Sequence, residues 1–269
     1  RMLKLPGLSD DDKHQLLVQR AELRHEIGDL AAASGEYEAL LKAAEDGSEA
    51  YFAFALECIT LKIQMAKPRV AMKLVNALLA RDDVPVEHRI HALYRRASVQ
   101  TKAAAALKDL ADLLAMPELL PEHRALALML RQQWYAKEGK LDAAIADLRE
   151  AVAIPEMDEQ ERAPHQLLLA NMLQQQGHFD EAITHFTALV NSATEDDLAL
   201  SDFDLSGEDE GDSPPIGLIA RLMRFACYLA TGNQAAIKAE IKAVKKLAKL
   251  NPLYGPAVSL MEADARKLK

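Results

Sequence analysis

With 269 residues, half of them apolar, and a net charge of −9, the chain has room for two small domains or one elongated array, and apolar weight enough to bury a core. No apolar run of 18 residues reads as a membrane span, and no basic-then-apolar leader opens the chain. Cys58 and Cys227 lack a CxxC partner, so they read as small apolar core residues rather than as a disulfide framework or a zinc site. The charge is local. Residues 193–215 hold nine acidic groups and no Lys or Arg, and taking nine from 41 leaves 32 acidic against 32 basic residues. A neutral body has no general field to attract nucleic acid or anionic lipid.

Aromatic residues are only 5% of the chain, and Ala and Leu dominate, which suits close helix-on-helix packing. A small residue soon after a turn recurs along the chain. Gly35-Glu-Tyr37-Glu-Ala39-Leu40 reads as the first such turn, Lys67-Pro-Arg-Val70-Ala71 as the second, and Ala106-Leu107 as the third. Two close copies follow, Gly139-Lys-Leu141-Asp-Ala-Ala144-Ile145 and Gly177-His-Phe179-Asp-Glu-Ala182-Ile183, and Gly232-Asn-Gln-Ala-Ala236-Ile237 is the last. In the two close copies the glycine suits the end of one helix, and Asp142 or Asp180 suits the start of the next; the copies at Ala71 and Ala106 lack the glycine. Anchored on the small residue, positions 39, 71, 106, 144, 182 and 236 are spaced by 32, 35, 38, 38 and 54. Four spacings lie near the period of about 34 of a two-helix repeat. The fifth is longer by about 20, which matches the acidic stretch and reads as an insertion.

The intervening segments read as first helices of each pair. Over 86–101, Ile90, Leu93, Tyr94 and Ala97 form one apolar face; over 121–138, Leu128, Trp134 and Tyr135 do the same. Pro121, Pro155, Pro164 and Pro252 are expected at or near helix boundaries. Residues 253–267 read as a last helix with a charged rim, fit to cap the array.

Ile27-Gly28, Ala31 and Gly35-Glu36-Tyr37 together resemble a tetratricopeptide repeat. So do Tyr135, Gly139, Leu141, Ala144-Ile145, Leu148 and Ala151, and again Leu169-Ala170, Leu173, Gly177, Phe179, Ala182-Ile183 and Phe186. The resemblance implies an all-α, right-handed α-solenoid of about six helix-turn-helix repeats plus a C-terminal capping helix. The expected division is repeats one to five over 1–192, an acidic inserted loop over 193–215, and a sixth pair with the cap over 216–269. It also implies a scaffold or adaptor rather than an enzyme, whose partner is another protein; the neutral body argues against nucleic acid, the motifs suggest no cofactor, and two unpaired thiols favour a reducing, cytoplasmic compartment. A peptide or helix of that partner would lie in a concave groove of first helices. The alternative is a regulatory or sensor region of a larger multidomain protein. The sequence carries no signal of oligomeric state. The chaperone-tail clamp of some family members is not matched: Asn171 is in place, but Leu167 stands one turn earlier where Lys is needed.

Helical spacing puts His88, His91, Arg95 and Ser98 on one face of the helix over 86–101, opposite its apolar stripe. The next first helices add Gln133 and Lys137, then Asn171, Gln174 and Gln175. This polar, mildly basic strip predicts an acidic or amide-rich extended ligand. His88 and His91 lack a third ligand nearby, so no metal is expected, and no GxSxG, HExxH, P-loop or GxGxxG occurs. In the acidic loop, Leu198, Asp202, Phe203, Asp204 and Leu205 interleave apolar and acidic residues, as in segments that fold onto a partner or back onto their own groove. The stretch from Asp202 begins like a calcium loop, but Ser213 stands where a bidentate Glu would close the site.

Overall fold

The computed structural model describes residues 9–192, 216–250 and 254–267, without the side chains of Asp10, Asp11 and Leu250. Every regular element among them is a helix. There are thirteen: α1 (Asp10–Glu26), α2 (Leu30–Ala43), α3 (Glu49–Gln64), α4 (Pro68–Leu79), α5 (Val86–Val99), α6 (Ala103–Leu114), α7 (Pro121–Lys137), α8 (Leu141–Val152), α9 (Glu159–Gln175), α10 (Phe179–Ser192), α11 (Ile216–Ala230), α12 (Gln234–Leu250) and α13 (Gly255–Arg266). In chain order they are six pairs and one terminal helix. The chain forms two compact units, Arg1–Glu138 and Gly139–Lys269. The candidate residues Leu198, Asp202, Phe203, Asp204 and Leu205 lie outside the described residues.

Within the first unit each helix packs on the next, and the odd-numbered helices also touch one another, α3 on α5 and α5 on α7. Three apolar clusters follow this stacking. Tyr37, Leu40, Phe54, Cys58 and Leu61 fill the start of the unit. Phe52, Ile59, Val75 and Leu78 come next, then Ile90, Leu93, Leu110 and Leu113. The second unit repeats the scheme with α9 on α11 and α11 on α13, around Leu218, Phe225, Ile237, Val244, Tyr254 and Met261. Helices α10 and α11 pack directly on each other, so the stacking is continuous from one side of residues 193–215 to the other. Both cysteines are buried, and burial pushes their thiols up to about 12 for Cys58 and about 11 for Cys227.

Four of the six turns that join first to second helices, those at Gly28, Ala66, Gly177 and Gly232, share a hydrogen-bond pattern. The amide of Gly28 donates to the His25 carbonyl and that of Asp29 to the Arg24 carbonyl. The same two bonds recur at Gly177 and His178, at Gly232 and Asn233, and at Ala66 and Lys67. This closure needs a left-handed residue, and φ is +79° at Gly28, +80° at Gly177, +68° at Gly232 and +53° at Ala66. Ala66 thus fills a glycine position without being glycine.

This corrects the register of the first pair. Gly35 is not a turn residue; it lies inside α2, and Ala39 is exposed. The turn glycine is Gly28, and the small residue five positions later is Ala33. Ala33, Ala71, Ala106, Ala144 and Ala182 are all fully buried, and Ile237 takes the place after Gly232. The anchors 33, 71, 106, 144, 182 and 237 are spaced by 38, 35, 38, 38 and 55, more regular than the spacing read from Ala39. The one short step falls at the turn around Thr101, where the left-handed residue is missing. Pro164 is likewise not at a boundary. It is the sixth residue of α9, where it has no amide hydrogen for the Gln160 carbonyl.

Two side-chain devices accompany the stacking. First, a cation on a first helix holds a carboxylate on its second helix. Arg20 and Arg24 both reach Glu36 at 2.7 Å. Arg96 forks onto Asp109 at 3.0 and 2.6 Å, and Arg221 and Arg224 converge on Glu240. Asp109 and Glu240 are both 4% exposed, so Asp109 depends on the Arg96 guanidinium and the Gln100 amide for solvation, and Glu240 on two guanidinia. Second, the fourth residue of α5, α7 and α9 is always Arg, and it reaches back over the preceding loop. Arg89 donates to the Arg81 carbonyl, Arg124 to that of Leu114, and Arg162 to those of Ile154 and Met157. The carbonyls of Arg81, Leu114 and Ile154 lie at or just beyond the negative ends of α4, α6 and α8, where a cation is favourable; that of Met157 is farther along the loop. The three arginines are spaced by 35 and 38, the same steps as the alanine anchors.

Candidate protein-binding groove

Because α1, α3, α5 and α7 are the first helices of their pairs, one face of each is left without a second helix upon it. Two cavities open there in the first unit. One, of about 700 Å3, lies along α1, α3 and α5; the other, of about 440 Å3, lies along α3, α5 and α7. His91 and Arg95 of α5 line both.

Arg95 is held from below. Its Nε donates to Thr60 Oγ1 at 2.7 Å, and that hydroxyl donates to the Leu56 carbonyl at 2.9 Å. One terminal nitrogen makes a long contact, 3.5 Å, with the His91 carbonyl. No carboxylate of the described residues is in ion-pair range of it. Burial lowers its proton affinity from the ordinary arginine value, though a guanidinium stays charged. His91 packs edge-on against His123 of α7, with ring centroids 4.7 Å apart. Burial foremost, then the Arg95 charge, holds His91 below the ordinary histidine value. Ser98 lines the second cavity beside Arg95 and donates to its carbonyl.

His88 lines the first cavity but is only 7% exposed. Its ring packs on Phe52 at 5.8 Å, Nε2 is 3.3 Å from Glu49, and Nδ1 is buried without a hydrogen-bond partner. His88 therefore turns to α3 while His91 turns to α7, and the two rings do not converge as a chelating pair. Among the described residues no group of three His, Cys, Asp or Glu side chains could hold a metal ion.

The remaining candidates are spread along the chain. Gln133 and Lys137 are exposed on α7 in the first unit, and the Lys137 ammonium sits 4.8 Å from the Trp134 ring. Asn171, Gln174 and Gln175 are on α9 in the second unit. Asn171 and Gln174 are half-buried, Gln175 is exposed, and Asn171 Oδ1 is buried without a partner.

The charge of the groove differs from the sequence expectation. Glu22 and Glu26 of α1, Glu49 and Glu57 of α3 and Glu87 of α5 all line the first cavity, against Arg95 and three histidines, His25, His88 and His91. The mildly basic strip counted only the helices over 86–101 and beyond, and α1 and α3 bring the carboxylates. The Tyr37 hydroxyl in this cavity is pushed up to about 12, by burial first and then by Glu57 and Glu22. The second cavity is more apolar, with Ile63, Ile90, Tyr94 and Leu113 as walls and Leu126, 48% exposed, at its edge. Leu126, Thr60, His25 and His123 escaped the sequence reading. The repeated Glu-His-Arg at 87–89 and 122–124 was the available signal for His123.

Helix pairs closed by left-handed turns, with buried small residues at a fixed place in second helices, define the tetratricopeptide-repeat fold. No protein-family model matches the chain, and no curated protein matches it. Some solved structures are similar to it. A tetratricopeptide repeat protein from Parabacteroides merdae is 19% identical over 95% of this chain and 93% of its own, with a TM-score of 0.53. The assembly chaperone of RpL4, Acl4, is 15% identical over 94% and 95%, with a TM-score of 0.48. The thermophilic repeat protein TTC0263 of Thermus thermophilus is 18% identical over 67% and 91%, with a TM-score of 0.46. At 19% identity the likeness to the Parabacteroides merdae protein concerns the fold alone. Among the described residues no helix is long and apolar enough to cross a membrane.

Proposed function

We propose that this chain is a protein-binding scaffold, and that the first-helix groove of its first unit receives a segment of a partner protein. The observation that supports this reading is the pair of adjoining cavities that share His91 and Arg95. Buried polar groups and an edge leucine left half-exposed are what a partner would complete. The proposed role is docking, without a reaction step.

Photo-crosslinking tests it. A benzophenone side chain is placed at Glu26 or Leu126 in the groove, and at Lys73 on α4 as a control outside it. The groove positions should capture partner protein in host lysate, and Lys73 should not. Equal capture at all three positions, or capture at Lys73 alone, refutes docking in the groove.

A further inference from the structure

Resting on the groove reading, we infer that the occupant is an extended segment carrying a Lys or Arg and a large apolar side chain three residues apart. The two cavities differ in what they ask for. The first gathers five glutamates. Glu22, Glu26 and Glu87 have no Lys or Arg partner among the described residues, and Glu57 has only His25 at 4.0 Å. An acidic cluster on an exposed helix is commonly just solvated. Here it is joined by His88, which also lines the cavity, is more than nine-tenths buried and keeps a buried Nδ1 without a partner. Uncompensated carboxylates around a concave space favour a cation and repel an acid. The second cavity asks for the opposite. Its walls are Ile63, Ile90, Tyr94 and Leu113, and its volume of about 440 Å3 takes one large aliphatic or aromatic side chain with room to spare.

The spacing follows from the stacking. Neighbouring packed helices lie about 8–10 Å apart, so the cavities between successive first helices repeat at about that distance. A polyproline-type extended chain has three residues per turn and rises about 3.1 Å per residue, so residues i and i+3 point the same way about 9 Å apart. A β-strand turns alternate residues to opposite sides, so its i and i+3 side chains do not enter one surface together. Arg95 stands where the two cavities meet. An extended chain without internal hydrogen bonds leaves its carbonyls free, and a guanidinium pinned by Thr60 with no carboxylate of its own can donate to one of them. The cationic residue, the carbonyl and the apolar residue are then read in order along α1, α3, α5 and α7.

A phage-displayed library of random octapeptides, panned against the full chain, tests this. Enriched peptides should carry Lys or Arg three residues from Leu, Met, Phe or Trp. By fluorescence anisotropy, one such peptide should bind the triple variant E22Q/E26Q/E57Q about tenfold more weakly, with a shallower salt dependence. Leu126→Glu should also weaken it, and both variants should keep the parent melting temperature, since these side chains are exposed or half-exposed. Enriched acidic peptides whose binding is lost in Arg95→Ala would overturn the cationic assignment while leaving groove docking intact. A cation and apolar residue seven apart would replace the extended segment with a helix. Peptides indifferent to every groove variant, or no enrichment at all, would overturn this inference and the groove reading together.

Discussion

Replacing Ala66 with glycine should stabilise the first unit, although it removes a methyl group and lowers local helix propensity. Ala66 closes the α3–α4 turn at φ +53°, with the bonds that Gly28, Gly177 and Gly232 make in equivalent turns. An L-residue in the left-handed region costs about 1–2 kcal/mol. Glycine removes that strain but widens the unfolded ensemble by about 0.4–1 kcal/mol. The Ala66 side chain is exposed, so no packing is lost. The net gain is about 0.5–1 kcal/mol. In a unit of 138 residues this should raise the melting temperature by about 2–4 °C. Calorimetry of the parent and Ala66→Gly measures it directly, and denaturant titration should show a higher midpoint at unchanged slope. A melting temperature that stays put or falls would mean the turn is not strained, and the equivalence of the four turns would fail with it.

Two further glycines should respond with opposite signs to alanine. Gly35→Ala, at an exposed mid-helix site with open space around the new Cβ, should stabilise by about 0.5–1 kcal/mol; Gly177→Ala, with equal space but φ +80°, should destabilise by about 1–2 kcal/mol, both read from denaturant midpoints. Arg96→Met strands the Asp109 carboxylate and should cost about 3 kcal/mol, while adding Asp109→Leu should restore most of it; equal losses in the single and double variants would argue against a buried pair. His91 and His185 are both held below the ordinary histidine value, chiefly by burial, so the unfolded chain binds their protons first as pH falls. Stability should therefore be level above about pH 7 and decline from about pH 6.5 downward, and the double variant H91Q/H185Q should flatten that decline. Glu38 and Glu181, held below the usual carboxylate range by Lys62 and Arg149, should show their loss only below about pH 4.5.

Much of the fold was legible because it rests on short-range chemistry. Glycine, then a small residue five positions on, marked the pairs at 139 and 177 without any tertiary knowledge. The first pair was misread because Gly35-Glu-Tyr37 imitates the turn from inside α2, and only the left-handed φ of Gly28 separates the two. The second pair kept the turn but not its glycine. The groove was legible one helix at a time. Spacing put His88, His91 and Arg95 on one face of α5, but it could not show that His88 would be claimed by Phe52 of α3. Nor could it show that glutamates of α1 and α3 would share the cavity, because charge across neighbouring helices depends on stacking rather than on periodicity.

The arginine at the fourth position of α5, α7 and α9 has a consequence for how the units come apart. In a one-dimensional array, stability divides into what each repeat supplies alone and what each junction supplies. Arg89, Arg124 and Arg162 each bond carbonyls at or just past the end of the helix before, so each belongs to a junction and to no single repeat. Weight moved from repeats to junctions sharpens cooperativity. A helix pair that frays uncaps its neighbour, and the loss spreads instead of stopping at the turn. Partly melted states within a unit are then sparse, and a groove spanning several first helices is present whole or not at all.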